Sequence, residues 1–193
     1  MSQLPKIYSL SCGHATKYYW LNVVEEVTQG MNFEEKIKFT QLTFAKYSGT
    51  TEADCHGSTL ALNFFSENLV KILEEISPST FIKYKIDTQT KLKTKNNYYL
   101  VKPISAIPKV QNQDIFSRPD LDKYCSVNYV DKNRLLVLSD NIYYIYADFE
   151  KWNGDNIFTV TDTTHFFITD KMKSQLDRHS LKNVQTKEIP FFA

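Results

Sequence analysis

Residues 64–86 read FFSENLVKILEEISPSTFIKYKI, and 103 positions further on residues 167–189 read FITDKMKSQLDRHSLKNVQTKEI. Aligned without a gap, the two stretches follow the same plan. Each opens with apolar residues typical of a strand, and then has a hydroxyl residue, Ser66 or Thr169. Such a side chain can cap a helix by accepting a hydrogen bond from its free amides. The plan therefore predicts that a capped helix follows a strand in both stretches.

Apolar residues then recur at helical spacing in both stretches, at Leu69, Leu73 and Ile76 in the first and at Met172 and Leu176 in the second. Both stretches close on a short run typical of a strand, FIKYKI or VQTKEI. Two strand-helix-strand units would each leave an apolar face open, and we expect them to bury these faces in one shared core. The alternative is a chance likeness, because capping and amphipathicity use few residue types.

The composition is that of a globular protein with much sheet. Of the 193 residues, 42% are hydrophobic and 23% charged, and aromatic residues reach 14%, which favours half-buried sheet surfaces. We predict an α+β fold with mostly antiparallel sheets and a few short helices. We expect residues 1–193 to form a single domain, within which a strand-rich part, residues 1–58, could pack on residues 59–193.

The charge pattern disfavours several classes of partner. The net charge is +1 and the only short basic run is KLKTK at 91–95, so nucleic acid is not expected. No apolar stretch reaches the length of about 18 residues that a membrane helix needs. The five glycines are dispersed, so no phosphate loop and no cofactor are predicted. Three cysteines without close spacing favour the cytoplasm, and the oligomeric state is left open.

The pattern along the chain predicts the other elements coarsely. Strands are expected at 6–12, at 17–24, once or twice within 33–47, and from 96 to 104. The polar stretch GTTEADCHG at 49–57 is bounded by glycines and predicts a loop.

The histidines and cysteines give two candidates for chemistry. A zinc site would need Cys12 and His14 to meet Cys55 and His56, and neither pair has the spacing of a zinc knuckle, so no metal is predicted. A Cys55 nucleophile is the other candidate.

Its base would be His165 or His179, which would meet the thiol only in space. His179 aligns with Ile76, so we expect it on the inner face of the second helix as a core or boundary residue. No catalytic residue is predicted.

A partner-binding surface is predicted within NIYYIYADFEKW, residues 141–152. Strand alternation separates an apolar face from a face that mixes tyrosines with acids, and such a mixture favours protein interfaces. The predicted contact residues are Tyr144, Tyr146, Asp148, Glu150 and Trp152. An ordinary half-exposed strand is the alternative.

Four short motifs resemble a known family over about residues 60–193. They are Ser66 with Glu67, Tyr98 to Pro103, Ile157 with Phe158, and Phe167 to Asp170. In this order they resemble the α+β immunity proteins of bacterial polymorphic toxin systems. The resemblance implies a non-enzymatic cytoplasmic protein that binds and neutralises a cognate toxin. The alternatives are a small cysteine- or histidine-dependent hydrolase or transferase, and a protein-binding adaptor without a protective role.

Overall fold

The computed structural model describes residues 4–23, 43–58, 62–88, 94–110, 134–140 and 143–191. Its strands are β1 (Ile7–Cys12), β2 (Trp20–Val23), β3 (Thr43–Ser48), β4 (Cys55–Ser58), β5 (Asn63–Ser66), β6 (Phe81–Lys85), β7 (Asp87–Thr88), β8 (Tyr98–Pro103), β9 (Ala106–Ile107), β10 (Leu135–Asp140), β11 (Tyr143–Asp148), β12 (Ile157–Val160), β13 (Phe167–Thr169) and β14 (Val184–Ile189). The helices are α1 (Glu67–Ile76), α2 (Asp170–Leu176) and a short 3-10 helix, Phe149–Lys151.

The strands form two large sheets and a hairpin. The seven-stranded sheet has the order β6-β8-β5-β4-β2-β3-β7, the five-stranded sheet has the order β14-β1-β13-β12-β9, and β10 pairs with β11. Most neighbours are antiparallel, and β2 with β4, β3 with β7 and β9 with β12 are parallel. The predicted α+β, sheet-rich fold class is confirmed.

The two predicted strand-helix-strand units are β5-α1-β6 and β13-α2-β14. The Ser66 hydroxyl accepts a hydrogen bond from the Leu69 N–H (3.2 Å), and the Thr169 hydroxyl accepts one from the Met172 N–H (3.4 Å). In each unit an antiparallel strand lies between the two others, β8 in the first and β1 in the second. The two units are therefore built alike, down to the capping bond.

The likeness extends beyond these units to two repeats, β1 to β6 and β8 to β14. In the first repeat, β4 pairs antiparallel with β5 and parallel with β2. In the second repeat, β12 pairs antiparallel with β13 and parallel with β9, in the same register. The first strand of each repeat joins the sheet of the other repeat, because β1 lies in the five-stranded sheet and β8 in the seven-stranded one. The two repeats have exchanged their first strands.

One core cluster contains side chains of both repeats. It brings Leu69 and Leu73 of α1 together with Met172 and Leu176 of α2. Each fully buried apolar side chain of this size contributes on the order of 1.5–3 kcal/mol. The shared core expected from the two open apolar faces is present.

Two further clusters cover the other faces of the sheets. On the five-stranded sheet, Phe158 and Phe167 pack with Leu136 of the hairpin. On the seven-stranded sheet, Phe64 and Leu100 belong to a separate cluster. Each large sheet is thus apolar on both faces.

The structure differs from the sequence-based expectations at two places. The predicted loop 49–57 contains β4 from Cys55 onward. Helix α2 ends at Leu176, so His179 follows the helix and is exposed instead of lying on its inner face. The strands expected within 24–42 lie outside the described residues. Of the helices described, none combines the length and the apolar character that crossing a bilayer requires.

Candidate functional site

Cys55, the candidate nucleophile, lies in β4 and is fully buried. Its side chain meets that of Cys12 in the shared core. Burial raises the pKa of the Cys55 thiol well above its usual value, and the neighbouring Cys12 adds to this effect. Because only the thiolate is a good nucleophile, the structure places Cys55 in an unreactive setting.

His56, the next residue, is also buried and uses both ring nitrogens. Its Nε2 lies 3.1 Å from the Ala53 N–H and accepts from it, so Nδ1–H donates to the Tyr19 carbonyl oxygen at 3.0 Å. The Tyr98 hydroxyl lies 3.2 Å from Nε2 and donates to the Ala53 carbonyl oxygen. Burial lowers the pKa of His56 to about 4, against the opposing effects of the Tyr19 bond and of nearby acids. The ring is a neutral, hydrogen-bonded core residue.

The second repeat gives an independent view of these two positions. By the pairing of β4 with β5 and of β12 with β13, Cys55 corresponds to Ile157 and His56 to Phe158. All four side chains are 1% exposed or less. Both positions therefore serve packing in both repeats.

The two predicted bases for Cys55, His165 and His179, differ in their exposure to solvent. The His165 ring packs near the Phe167 ring, with 5.7 Å between centroids, and His179 is exposed beyond α2. His14 is exposed beside the Trp20 ring, whereas Cys12 is buried. Over the described ranges, no three His, Cys, Asp or Glu side chains are grouped so as to hold a metal ion.

A polar groove of about 460 Å³ lies at the boundary between the repeats, and we call it the seam groove. Four segments form it: the residue just before β2, the loop between β3 and β4, the residues just before β8, and the turn just before β14. Its lining residues are Tyr19, Thr50, Thr51, Glu52, Ala53, Asp54, Lys95, Asn96 and Lys182.

Asp54, which lines the seam groove, is bonded to the start of α1 and to the turn before β14. Its Oδ1 accepts from the Ser66 hydroxyl (2.8 Å) and from the Asn68 side-chain amide (3.2 Å). Its Oδ2 accepts from the Lys182 N–H (2.8 Å), and its own N–H donates to the Lys182 carbonyl oxygen. One carboxylate thus ties the start of α1 to the turn of the second repeat.

Glu52, another lining residue of the seam groove, is held in a similar way. Its Oε1 accepts from the Lys95 N–H, and its Oε2 accepts from the Asn96 side-chain amide at 2.8 Å. The Tyr98 hydroxyl lies 3.4 Å from the same Oε2. Both oxygens of both groove carboxylates therefore have donors within the protein.

The predicted partner-binding residues have unequal access to solvent. Tyr146 is fully buried and Asp148 is 8% exposed, with its carboxylate capping the 3-10 helix at the Glu150 N–H (3.1 Å). Glu150 is exposed and Trp152 is half-buried. The side chain of Tyr144 lies outside the described residues. In the free protein, a partner reaches Glu150 and part of Trp152.

Strand β11 is also bound at its second edge, where the Tyr146 carbonyl oxygen accepts from the Val110 N–H (2.8 Å) and the Asp148 N–H donates to the Pro108 carbonyl oxygen (3.0 Å). The face that was expected to be half-exposed is buried at Tyr146 and Asp148.

No protein family model matches the chain, and no curated protein matches it at a significant level.

Sequence reasoning missed the seam groove. Its charged residues come from three segments far apart in the chain, and the polar loop at 49–57 was the single local signal.

Proposed function

We propose that this protein is a bacterial, cytoplasmic immunity protein that binds and neutralises a cognate toxin by direct contact. The observation that carries the proposal is the placement of Cys55, the candidate nucleophile, and of its neighbour His56 inside the core. Cys55 is packed in the core and both ring nitrogens of His56 are hydrogen-bonded. For this part of the chain, the arrangement favours a binding protein over an enzyme. The resemblance of the Tyr98 to Pro103 and Phe167 to Asp170 motifs to immunity proteins supplies the class of partner.

The contact surface that we propose comes directly after β11 of the hairpin and contains Glu150 and Trp152. The Trp152 ring stacks on Phe149, with 4.8 Å between centroids, and its Nε1 donates to the Asp155 carbonyl oxygen at 2.9 Å. A ring held in this way loses little conformational entropy on binding. Glu150 lies two residues away and is exposed, so charge and aromatic area are adjacent.

A growth assay tests the function directly. The open reading frame immediately upstream is expressed with and without this protein, and the pair is tested for co-purification. We expect the neighbour to stop growth alone and to be silenced through a stoichiometric complex. The variants Cys55→Ala and His165→Ala should keep the protection, because neither residue has a catalytic role. A harmless neighbour that does not co-purify would contradict the proposal, and co-purification without protection would indicate an adaptor.

The contact surface is tested separately with charge reversals. Glu150→Lys should weaken the toxin complex at least tenfold, because a rim charge of the proposed surface is inverted. Glu75→Lys is the matched control, since Glu75 is exposed on α1. Equal affinities of the two variants would move the contact surface elsewhere and leave the immunity function standing.

A further inference from the structure

The two repeats allow each residue of the seam groove to be compared with its counterpart. Asp54 corresponds to Asn156, which makes the same bonds to the cap: its Oδ1 accepts from the Thr169 hydroxyl (2.9 Å) and its carbonyl oxygen accepts from the Thr169 N–H (3.1 Å). Ser66 binds Asp54 with the same two groups. Capping the helix therefore needs an oxygen at this position and no charge.

The two groove lysines have uncharged counterparts. Lys182 lies two residues before β14, and the equivalent residue two positions before β6 is Ser79. Lys95 lies three residues before β8, and the equivalent residue three positions before β1 is Leu4. The equivalent boundary at Asn156, between Ser79 and Leu4, therefore forms without these charges. The ammonium groups of the seam groove are thus not required by the framework of the repeats.

The acids and the lysines of the seam groove differ in their partners. The oxygens of Glu52 and Asp54 already accept from protein donors. The ammonium groups of Lys95 and Lys182 make no ion pair with a carboxylate of the described chain. Thr50, Thr51 and Tyr19, which each carry a hydroxyl group, line the same space. Glu52 and Asp54 balance the charge of the two lysines, so a ligand that fits this arrangement supplies acceptors to the two ammonium groups.

We propose that the seam groove binds a small molecule through a carboxylate or phosphate group held by Lys95 and Lys182. A volume of about 460 Å³ lies within the usual range of small-molecule sites, roughly 300–1,000 Å³, so the ligand is larger than a bare ion. Because Lys95 and Lys182 come from segments flanking different sheets, the ligand bridges them. The proposal does not depend on toxin binding.

Two simple probes test the site in the full-length protein. Inorganic phosphate and succinate are titrated separately at constant ionic strength, and the backbone amide resonances of Thr51, Lys95 and Lys182 are followed by NMR. We expect saturable shifts with at least one probe, and the more tightly bound probe identifies the preferred group. The double variant Lys95→Gln with Lys182→Gln should weaken this binding at least tenfold. It keeps the backbone bonds to Glu52 and Asp54, so the fold is maintained.

The matched control removes two positive charges elsewhere. Lys171→Gln with Lys187→Gln changes exposed lysines of α2 and β14, and binding should stay within twofold of the parent protein. Equal weakening in both double variants would reveal unspecific attraction by net charge and overturn the proposal. The absence of a saturable response to both probes would overturn it as well.

Discussion

At the scale of the residue, His56 holds a titratable ring at a position that Phe158 fills with an apolar ring in the second repeat. The hydrogen bonds to Ala53 and Tyr19 compensate for taking the two ring nitrogens out of water. They do so only for the neutral ring, because a protonated Nε2 can no longer accept from the Ala53 N–H. His56 therefore makes stability depend on pH.

We predict that His56 destabilises the folded protein as the pH falls from 6.5 toward 4. The unfolded chain binds the proton near pH 6.5, whereas the folded chain binds it only at about pH 4. The contribution of His56 to the free energy of unfolding is fully present above about pH 6.5 and decreases at lower pH. Between pH 7 and pH 4.5 the decrease is about 2 kcal/mol. Glu52 and Asp54 face the ring and reduce the effect without reversing it.

The measurement is urea unfolding of the parent protein and of His56→Gln at both pH values. The parent should lose about 2 kcal/mol more than the variant on acidification. His179→Gln removes an exposed histidine and should follow the parent. An identical pH dependence of the parent and His56→Gln would contradict the prediction, because it would mean that folding leaves the pKa of the ring unchanged.

Local sequence patterns predicted some features of single residues and missed others. The two caps and the helical spacing are local features, so Ser66, Thr169 and the helices behind them were predicted from the sequence. The burial of Tyr146 and the strand at Cys55 could not be, because both arise from segments elsewhere in the chain that lie against them. Strand alternation describes one strand and carries no information on what covers it.

At the scale of the element, the start of α1 is fixed from outside the helix. The cap at Ser66 is itself bound by Asp54, whose other oxygen accepts from the Lys182 N–H before β14. The helix, β4 and the turn of the other repeat therefore share one carboxylate. In the second repeat Asn156 fixes α2 through its cap in the same manner.

We predict a graded loss of stability at Asp54. Asp54→Asn keeps an oxygen for Ser66, as Asn156 does for Thr169, but loses the bond to Lys182, so it should cost about 1 kcal/mol. Asp54→Ala leaves the donors of Ser66, Asn68 and Lys182 without this acceptor, and should cost about 3 kcal/mol. Thermal or urea unfolding measures both.

Asp177→Ala is the control for removing an aspartate. Asp177 makes an exposed ion pair with Lys173, and its loss should cost less than about 1 kcal/mol. If Asp54→Asn and Asp54→Ala were equally unstable, the cap bond would contribute nothing and the effect would belong to the contact with Lys182.

At the scale of the whole molecule, the exchange of β1 and β8 links the repeats. Strand β1 pairs with both β13 and β14, and β8 pairs with both β5 and β6. The sequence predicted the repeated units but not this exchange, because local patterns define a strand and tertiary packing selects its neighbours. The seam groove was missed for the same reason.

We predict that the two halves stay together after the chain between them is cut. A protease site inserted between Thr88 and Thr94 and cleaved in the folded protein should leave one species on size exclusion, because each half supplies an inner strand of the other's sheet. Denaturing electrophoresis confirms the cut, and uncleaved protein is the control. Separate peaks for the halves in native buffer would show that the exchanged strands contribute little.

The separation along the chain between β1 and its partners β13 and β14 determines when the five-stranded sheet can be completed. The ribosome adds about 5–20 residues per second, so roughly 10–35 s separate the synthesis of β1 from that of β14. During this interval the sheet partners of Ile7 and Leu10 do not yet exist. We therefore expect these apolar residues to be exposed to aggregation until β14 has left the ribosome.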